Sequence, residues 1–177
     1  MIAEVSAAAM TVPLSPSLRT AVLLLGDQAA LGGAMLQGIG RHFASVFPQV
    51  LFHSVAVIDY DVLDSRLKNY EIGREIDRLR AESQSALDGL VLRSRGMGME
   101  ADRCVSVGTD PVAESAAFCV ATLGSHPLAT FVLGKLVHPR EKWHHWLFRD
   151  RAASALQARL EKQGIPVVVL PVLAPGS

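Results

Sequence analysis

The feature that most constrains this chain is a set of short apolar runs that do not alternate with polar residues. They are Thr20–Leu25 (TAVLLL), Val50–Ile58 (VLFHSVAVI), Arg103–Val107 (RCVSV), Ala129–Leu133 (ATFVL) and Pro166–Leu170 (PVVVL). A strand with one wet face reads apolar, polar, apolar. A run that stays apolar needs cover on both faces, which is the signature of a parallel sheet. The length and β-branched content of these runs favour strand over a fragment of buried helix.

Longer stretches with helical period separate the runs. Leu31, Met35, Ile39, Phe43 and Val46 recur at helical spacing between the first and second runs. Ile72, Ile76, Leu79, Ala86 and Leu90 do so between the second and third, with Gly96 where a C-terminal cap is expected. Thr109 or Asp110 can cap the next helix, with Pro111 in its first turn and Val112, Ala116, Cys119 and Leu123 on its inward stripe. Trp143, Trp146, Ala153, Leu156 and Leu160 mark the last helix, which Gly164 ends. The order is β-α-β-α-β-α-β-α-β, with right-handed crossovers. Residues 1–17, rich in Ala and Ser with Pro13 and Pro16, read as a flexible lead, and 18–174 as a single domain.

Composition narrows the function classes. The 177 residues hold 17 basic and 17 acidic side chains, so no charge excess points to nucleic acid. Only 19% are charged, which suits an element order buried on both sides. The start, MIAEVSAAAM, has neither a basic region nor a sustained apolar one, so no secretory leader is expected. The most apolar long stretch, Thr20–Gly40, is interrupted by Asp27, Gln28 and Gln37, so no membrane insertion is expected either. Cys104 and Cys119 have neither CxxC nor zinc-ligand spacing and sit among apolar residues. They read as buried reduced thiols, consistent with a cytoplasmic location.

In an open parallel α/β sheet, ligands sit beyond the carboxyl ends of the strands. Gly26-Asp27 follows the first run, where the carboxylate can accept from a ribose or base, or cap the helix behind it. Val107-Gly108-Thr109-Asp110-Pro111, with Glu114, follows the third, where a helix N-terminus can meet an anion or simply close an efficient turn. Gly134-Lys135 follows the fourth, with His138, Arg140, Arg149 and Arg151 supplying positive charge or a solvated basic face. No GxxxxGK[ST], GxGxxG or GxSxG pattern occurs. His144 and His145 are adjacent, about 100° apart on a helix, so they do not share a metal ion. The candidate ligand contacts are therefore Gly26, Asp27, Val107, Gly108, Thr109, Gly134, Lys135, His138, Arg140 and Arg149. No catalytic or metal-binding residue is assigned.

From Leu18 to Val172 the chain resembles the universal stress protein (UspA-like) superfamily. The resemblance rests on the strand ending at Gly26-Asp27, the strand carrying Phe52-His53-Ser54-Val55, the turn Val107–Pro111 with Glu114, and the closing Ile165-Pro166-Val167-Val168-Val169. It implies a Rossmann-like three-layer sandwich. The sheet would have five parallel strands in the order 3-2-1-4-5, and homodimers would pair through the last strand. In the nucleotide-binding branch, adenine and ribose lie near the acidic residue after the first strand, and phosphates on a glycine loop after the fourth. Here Val137 stands where that loop has its second glycine, and no Gly-Ser or Gly-Thr pair follows in the helix after it.

The segment Pro139-Arg140, Trp143, His145, Leu147-Phe148, Arg149-Asp150, Ala152-Ala153 resembles the USP-like cytosolic domain of amino-acid/polyamine/organocation-type permeases. That likeness implies a transporter partner and, in potassium-importing relatives, a cyclic dinucleotide ligand. Three functions stand as expectations. The first is a non-enzymatic sensor or regulatory domain for ATP, AMP or cyclic di-AMP. The second is an interaction module of a membrane transporter without a small ligand. The third is a small nucleotide hydrolase.

Overall fold

The computed structural model describes residues 14–26, 31–43, 45–58, 69–137 and 151–173. The elements run β1 (Thr20–Leu24), α1 (Leu31–Phe43), β2 (Gln49–Val57), α2 (Asn69–Gly96), β3 (Glu100–Gly108), α3 (Pro111–Ser125), β4 (Ala129–Val137), α4 (Arg151–Lys162) and β5 (Val167–Leu173). The strands form one sheet in the order β3-β2-β1-β4-β5, and every neighbouring pair is parallel. This is the expected α/β architecture, with its strand order.

β1 is central and every residue in it is buried. Ala21 and Leu23 face α1 and α2, where Met35, Leu36, Ile39, Leu87 and Val91 close the first core layer. Val22 and Leu24 face α3 and α4, where Ala116, Phe118, Cys119, Leu156 and Leu160 close the second. A run apolar at both odd and even positions is thus explained by two layers of helix. The edge strands differ. β3 is mostly half-buried, because one side of its ladder and part of each face lack a neighbour.

Several boundaries differ from the sequence reading. β3 begins at Glu100, since Glu100 and Asp102 sit on an edge where charge is tolerated. β4 continues to Val137, because β5 runs beside it from Phe131–Val167 to Val137–Leu173. Leu14, placed in the flexible lead by composition, is 6% exposed and packs in the second core layer. Its carbonyl lies 3.4 Å from Nε2 of His126, the residue that ends α3.

In α2 the buried residues are Leu87, Val91 and Ser94, while Ala86 is exposed, about 100° round the helix from Leu87. The helix has 28 residues and is about 42 Å long, against about 30 Å for β3. It joins β3 through a short turn at its C-terminus, so roughly 12 Å at its N-terminal end reaches past the carboxyl edge of the sheet. From Glu71 to Ala86 no residue is fully buried.

Two helices end as Schellman motifs. In α4 the motif falls on the expected glycine: Gly164 has φ +74°, and the Ile165 N–H donates to the Leu160 carbonyl at 2.9 Å. In α2 the cap is Gly98 rather than Gly96. Gly98 has φ +83°, its N–H donates to the Arg95 carbonyl at 3.0 Å, and the Met99 N–H donates to the Ser94 carbonyl at 3.1 Å. Gly96 still has helical geometry, and a Cβ there would touch nothing within 4 Å. Opposite effects follow for the two glycines. Gly98→Ala should lower stability by about 1 kcal/mol, and Gly96→Ala should raise it by about 0.5 kcal/mol. Urea unfolding of both variants checks the assignment, and the reverse order would place the cap at Gly96.

Candidate functional site

The carboxyl edge of the sheet is forked. β1 stops pairing with β4 at Leu24–Leu133, yet β4 and β5 continue together for the four residues Gly134 to Val137. On the other side β2 and β3 continue together to Val57–Gly108. Two ribbons therefore rise on either side of β1. The gap between β2 and β4 is two strand spacings, about 9.5 Å, and the β4 wall is about 13 Å tall. This notch lies where the chain order of the sheet reverses, the position at which open α/β sheets take ligands.

The floor of the notch is Gly26. Its φ of +55° turns the chain out of the sheet, a conformation that costs a residue with a Cβ but not glycine. Its carbonyl accepts from the Val55 N–H at 2.7 Å and from the Ser54 hydroxyl at 2.9 Å. That oxygen is thereby tied to β2. Asp27, expected beside it, lies outside the described residues, as do His138, Arg140 and Arg149.

Gly134 and Lys135 were expected in a loop. Both lie inside β4, paired with Leu170 and Pro171. Successive strand residues point to opposite faces, so the two are on opposite sides of the sheet. Gly134 faces α1, and a Cβ there would sit 2.7 Å from Sδ of the buried Met35. The bare Cα is therefore a packing surface for Met35. Lys135 faces the α3–α4 side and is half-buried. Strand alternation was the missed signal: Phe131, Leu133 and Lys135 share one face, and Val132 and Gly134 the other.

At the third strand the turn closes on itself. The Asp110 carboxylate accepts from Val112 N–H at 2.9 Å and Ala113 N–H at 3.1 Å, capping α3. A Cβ at Gly108 would meet Glu114 Oε1 at 2.5 Å, so Glu114 lies against the bare glycine. Two carboxylates thus occupy the turn at Gly108 and Thr109, and two of the helix's free N–H groups are already used. Such a turn accepts a hydroxyl donor better than a phosphate. Val107, the remaining candidate, is half-buried within β3. Gly108 and Gly134 are three strands apart, about 14 Å, so a lone phosphate cannot touch both.

Residue reading missed one feature of this edge. His53 is fully buried in β2 and stacks on Phe118 of α3, with ring centroids 3.9 Å apart and planes 10° apart. Its Nε2 lies 3.0 Å from the Ser106 hydroxyl of β3, while Nδ1 has no hydrogen-bond partner among the described residues. A serine beside an imidazole has the outline of a nucleophile and its base. Burial, however, pushes this histidine down to about 3, so the ring is a weak proton acceptor. Nothing among the described residues orients Nδ1 in the way a triad's third member does. Burial likewise holds the two thiols in their protonated form. Burial pushes Cys119 up to about 12, and burial with the Asp102 charge pushes Cys104 up to about 11.

Among the solved structures that match this arrangement is a protein from the universal stress protein family of Burkholderia pseudomallei. The match has a TM-score of 0.52 and 19% sequence identity, and covers 90% of this chain and 100% of that one. The fold is that of the universal stress proteins. No protein-family model matches the chain, and no curated protein does. Among the described residues no helix is long and apolar enough to cross a membrane. Among them, too, no group of three His, Cys, Asp or Glu side chains converges as a metal site.

The buried histidine fixes a pH dependence. His53 is neutral in the fold down to about pH 3, whereas in the unfolded chain it takes up a proton near pH 6.5. The unfolded state therefore binds more protons between these values, and stability contributed by the neutral ring is lost as pH falls from 6.5 towards 3. The slope is at most about 1.4 kcal/mol per pH unit. His53→Phe should flatten the dependence between pH 6 and pH 4, on the order of one proton's worth, in urea titrations. Parallel pH curves for the two proteins would show the ring protonated inside the fold.

Proposed function

We propose that this chain is a regulatory module that acts by binding an adenine nucleotide or cyclic dinucleotide rather than by converting a substrate. The observation that carries the reading is the notch above β1. It is a crevice at the switch point of the sheet, walled by two strand ribbons and flanked by groups of different chemistry. The acidic turn at Gly108–Glu114 suits a sugar hydroxyl, and the Lys135 side of β4 suits an anion. The distance between them favours an extended ligand over a lone phosphate.

A weakly basic His53 and two high-pKa thiols favour binding over turnover. The glycines that wrap phosphates in the ATP-binding branch are replaced here by a strand glycine packed on Met35, so the ligand would be held without that loop. The sequence resemblance to transporter-associated USP-like domains supports a regulatory role.

Pairing of two copies through β5 belongs to the same proposal. β5 reads VVVLPVL, with no charged residue, and Val168 is 43% exposed. The opposite edge, β3, carries Glu100, Asp102 and Arg103, which discourage pairing.

Isothermal calorimetry with ATP, AMP and cyclic di-AMP tests the reading. One of them should bind, and Lys135→Ala should weaken that binding about tenfold, as loss of one charge-assisted contact does. Heat from none of the three would remove the nucleotide. Release of ADP or AMP from ATP and magnesium would make the chain a hydrolase instead.

A second reading rests on Met35. If its packing against Gly134 closes that side of the notch to ligand, the module works through protein contact with a membrane transporter. Pull-down from membranes with Trp143→Ala and Trp146→Ala should then lose the partner, and an unchanged partner set would count against it.

A further inference from the structure

We propose that α2 is a self-association surface, on which the α2 helix of a second copy docks antiparallel with the twofold axis at Ser85. This goes beyond the binding module proposed above and uses none of its residues.

The outward face of α2 is exposed along most of its length. Ala81, Ser85, Gly89 and Leu92 fall within an arc of about 80° on it, and Leu92 is 68% exposed. Gly89 has no packing reason among the described residues, since a Cβ there would meet nothing of them within 4 Å. A glycine in the middle of a helix weakens it. Small residues in this row instead allow a second helix to approach closely. At the axis the two Ser85 hydroxyls would face each other, and each can both donate and accept.

Charge decides the partner. At 100° per residue, Glu75 and Arg93 lie on one flank of the row, and Asp77 and Arg95 on the other. Each flank carries its acid towards the N-terminus and its arginine towards the C-terminus. A twofold axis across the helix reverses the order along it and keeps the flanks matched. Glu75 of one copy then faces Arg93 of the other, and Asp77 faces Arg95. The midpoints of these pairs fall one residue either side of Ser85. Arg78 falls opposite Leu92, so its aliphatic stem can cover that exposed side chain. A parallel arrangement would set acid against acid.

The charges extend contacts already present. Glu75 is bridged to Arg78 at 2.5 Å, Asp77 to Arg80 at 3.4 Å, and Arg95 donates to the Ala101 carbonyl at 3.0 Å. The one acidic pair near the axis, Glu82 and Asp88, lies on opposite flanks. Each is engaged within its own chain, Glu82 with Arg78 and Asp88 with Arg103.

The test uses the full chain. Under mild thiol oxidation Ser85→Cys should form a disulfide dimer at least tenfold faster than Ala86→Cys, which is also exposed but turned away from the axis. Cys104 is half-buried and Cys119 buried, so neither should contribute. In sedimentation equilibrium Arg93→Glu should weaken the association it reports on about tenfold, because symmetry breaks two pairs at once. Glu75→Arg combined with Arg93→Glu should return it to within threefold of wild type. Equal cross-linking at the two positions, or none at either, would overturn the proposal. So would a dimer that pairs only through β5, since it would leave Ser85→Cys uncross-linked.

Discussion

The fold depends on burying one short strand from both sides. Every residue of β1 is at most 2% exposed, and the strand supplies side chains to both helix layers. An apolar strand in that position has no wet face to lose. Each adjacent strand and each helix is held against it by removing apolar surface from water. β1 is also shorter than the strands on either side. The chain leaves at Gly26, whose left-handed backbone and twice-bonded carbonyl fix the point of departure. The notch is thus a consequence of strand lengths. It exists because β2 and β4 keep pairing with β3 and β5 after β1 has gone.

Polar groups inside such a core have to be explained one at a time. At the amino end of the sheet, Thr20, Gln49 and Glu100 form a chain across three strands. The Thr20 hydroxyl donates to Gln49 Oε1 at 3.1 Å, and Gln49 Nε2 donates to Glu100 at 2.8 Å. At the other end, His53 lies between Phe118 and Ser106. The first group is satisfied and holds register. The second has one nitrogen engaged and one without a partner among the described residues, so the ring is retained only in its neutral form. This is why a Ser–His contact near the carboxyl edge of an α/β sheet need not mean catalysis. Proton acceptance is set by burial as well as by distance.

Much of the fold was legible in the residues. Apolar runs without alternation marked strands with two covered faces, Gly164 marked a helix end, and the Asp110-Pro111 pair marked a helix start. What misled was local pattern where the partner lies far away in sequence. β4 and β5 lengthen each other, and nothing near Gly134 announces that Leu170 is its neighbour. The turn at Gly98 took the cap because the chain must enter β3 there, and Gly96 is still within the helix. Ala86 was misplaced by one position, since the inward face of α2 falls on its neighbour Leu87, which packs in the first core layer.

The candidate site was less legible for the same reason. Gly134 and Lys135 read as a loop pair, and strand geometry sets them on opposite faces. Gly108 read either as an anion site or as an efficient turn, and the folded chain brings Glu114 against it. By itself the sequence determined the class of fold, the succession of elements and the caps made by neighbouring residues, since period and propensity are local properties. Tertiary structure alone decided the depth of the notch, the neutral state of His53 and the face that Met35 fills. Each depends on which strands and helices meet, and that is a matter of packing between residues dozens of positions apart.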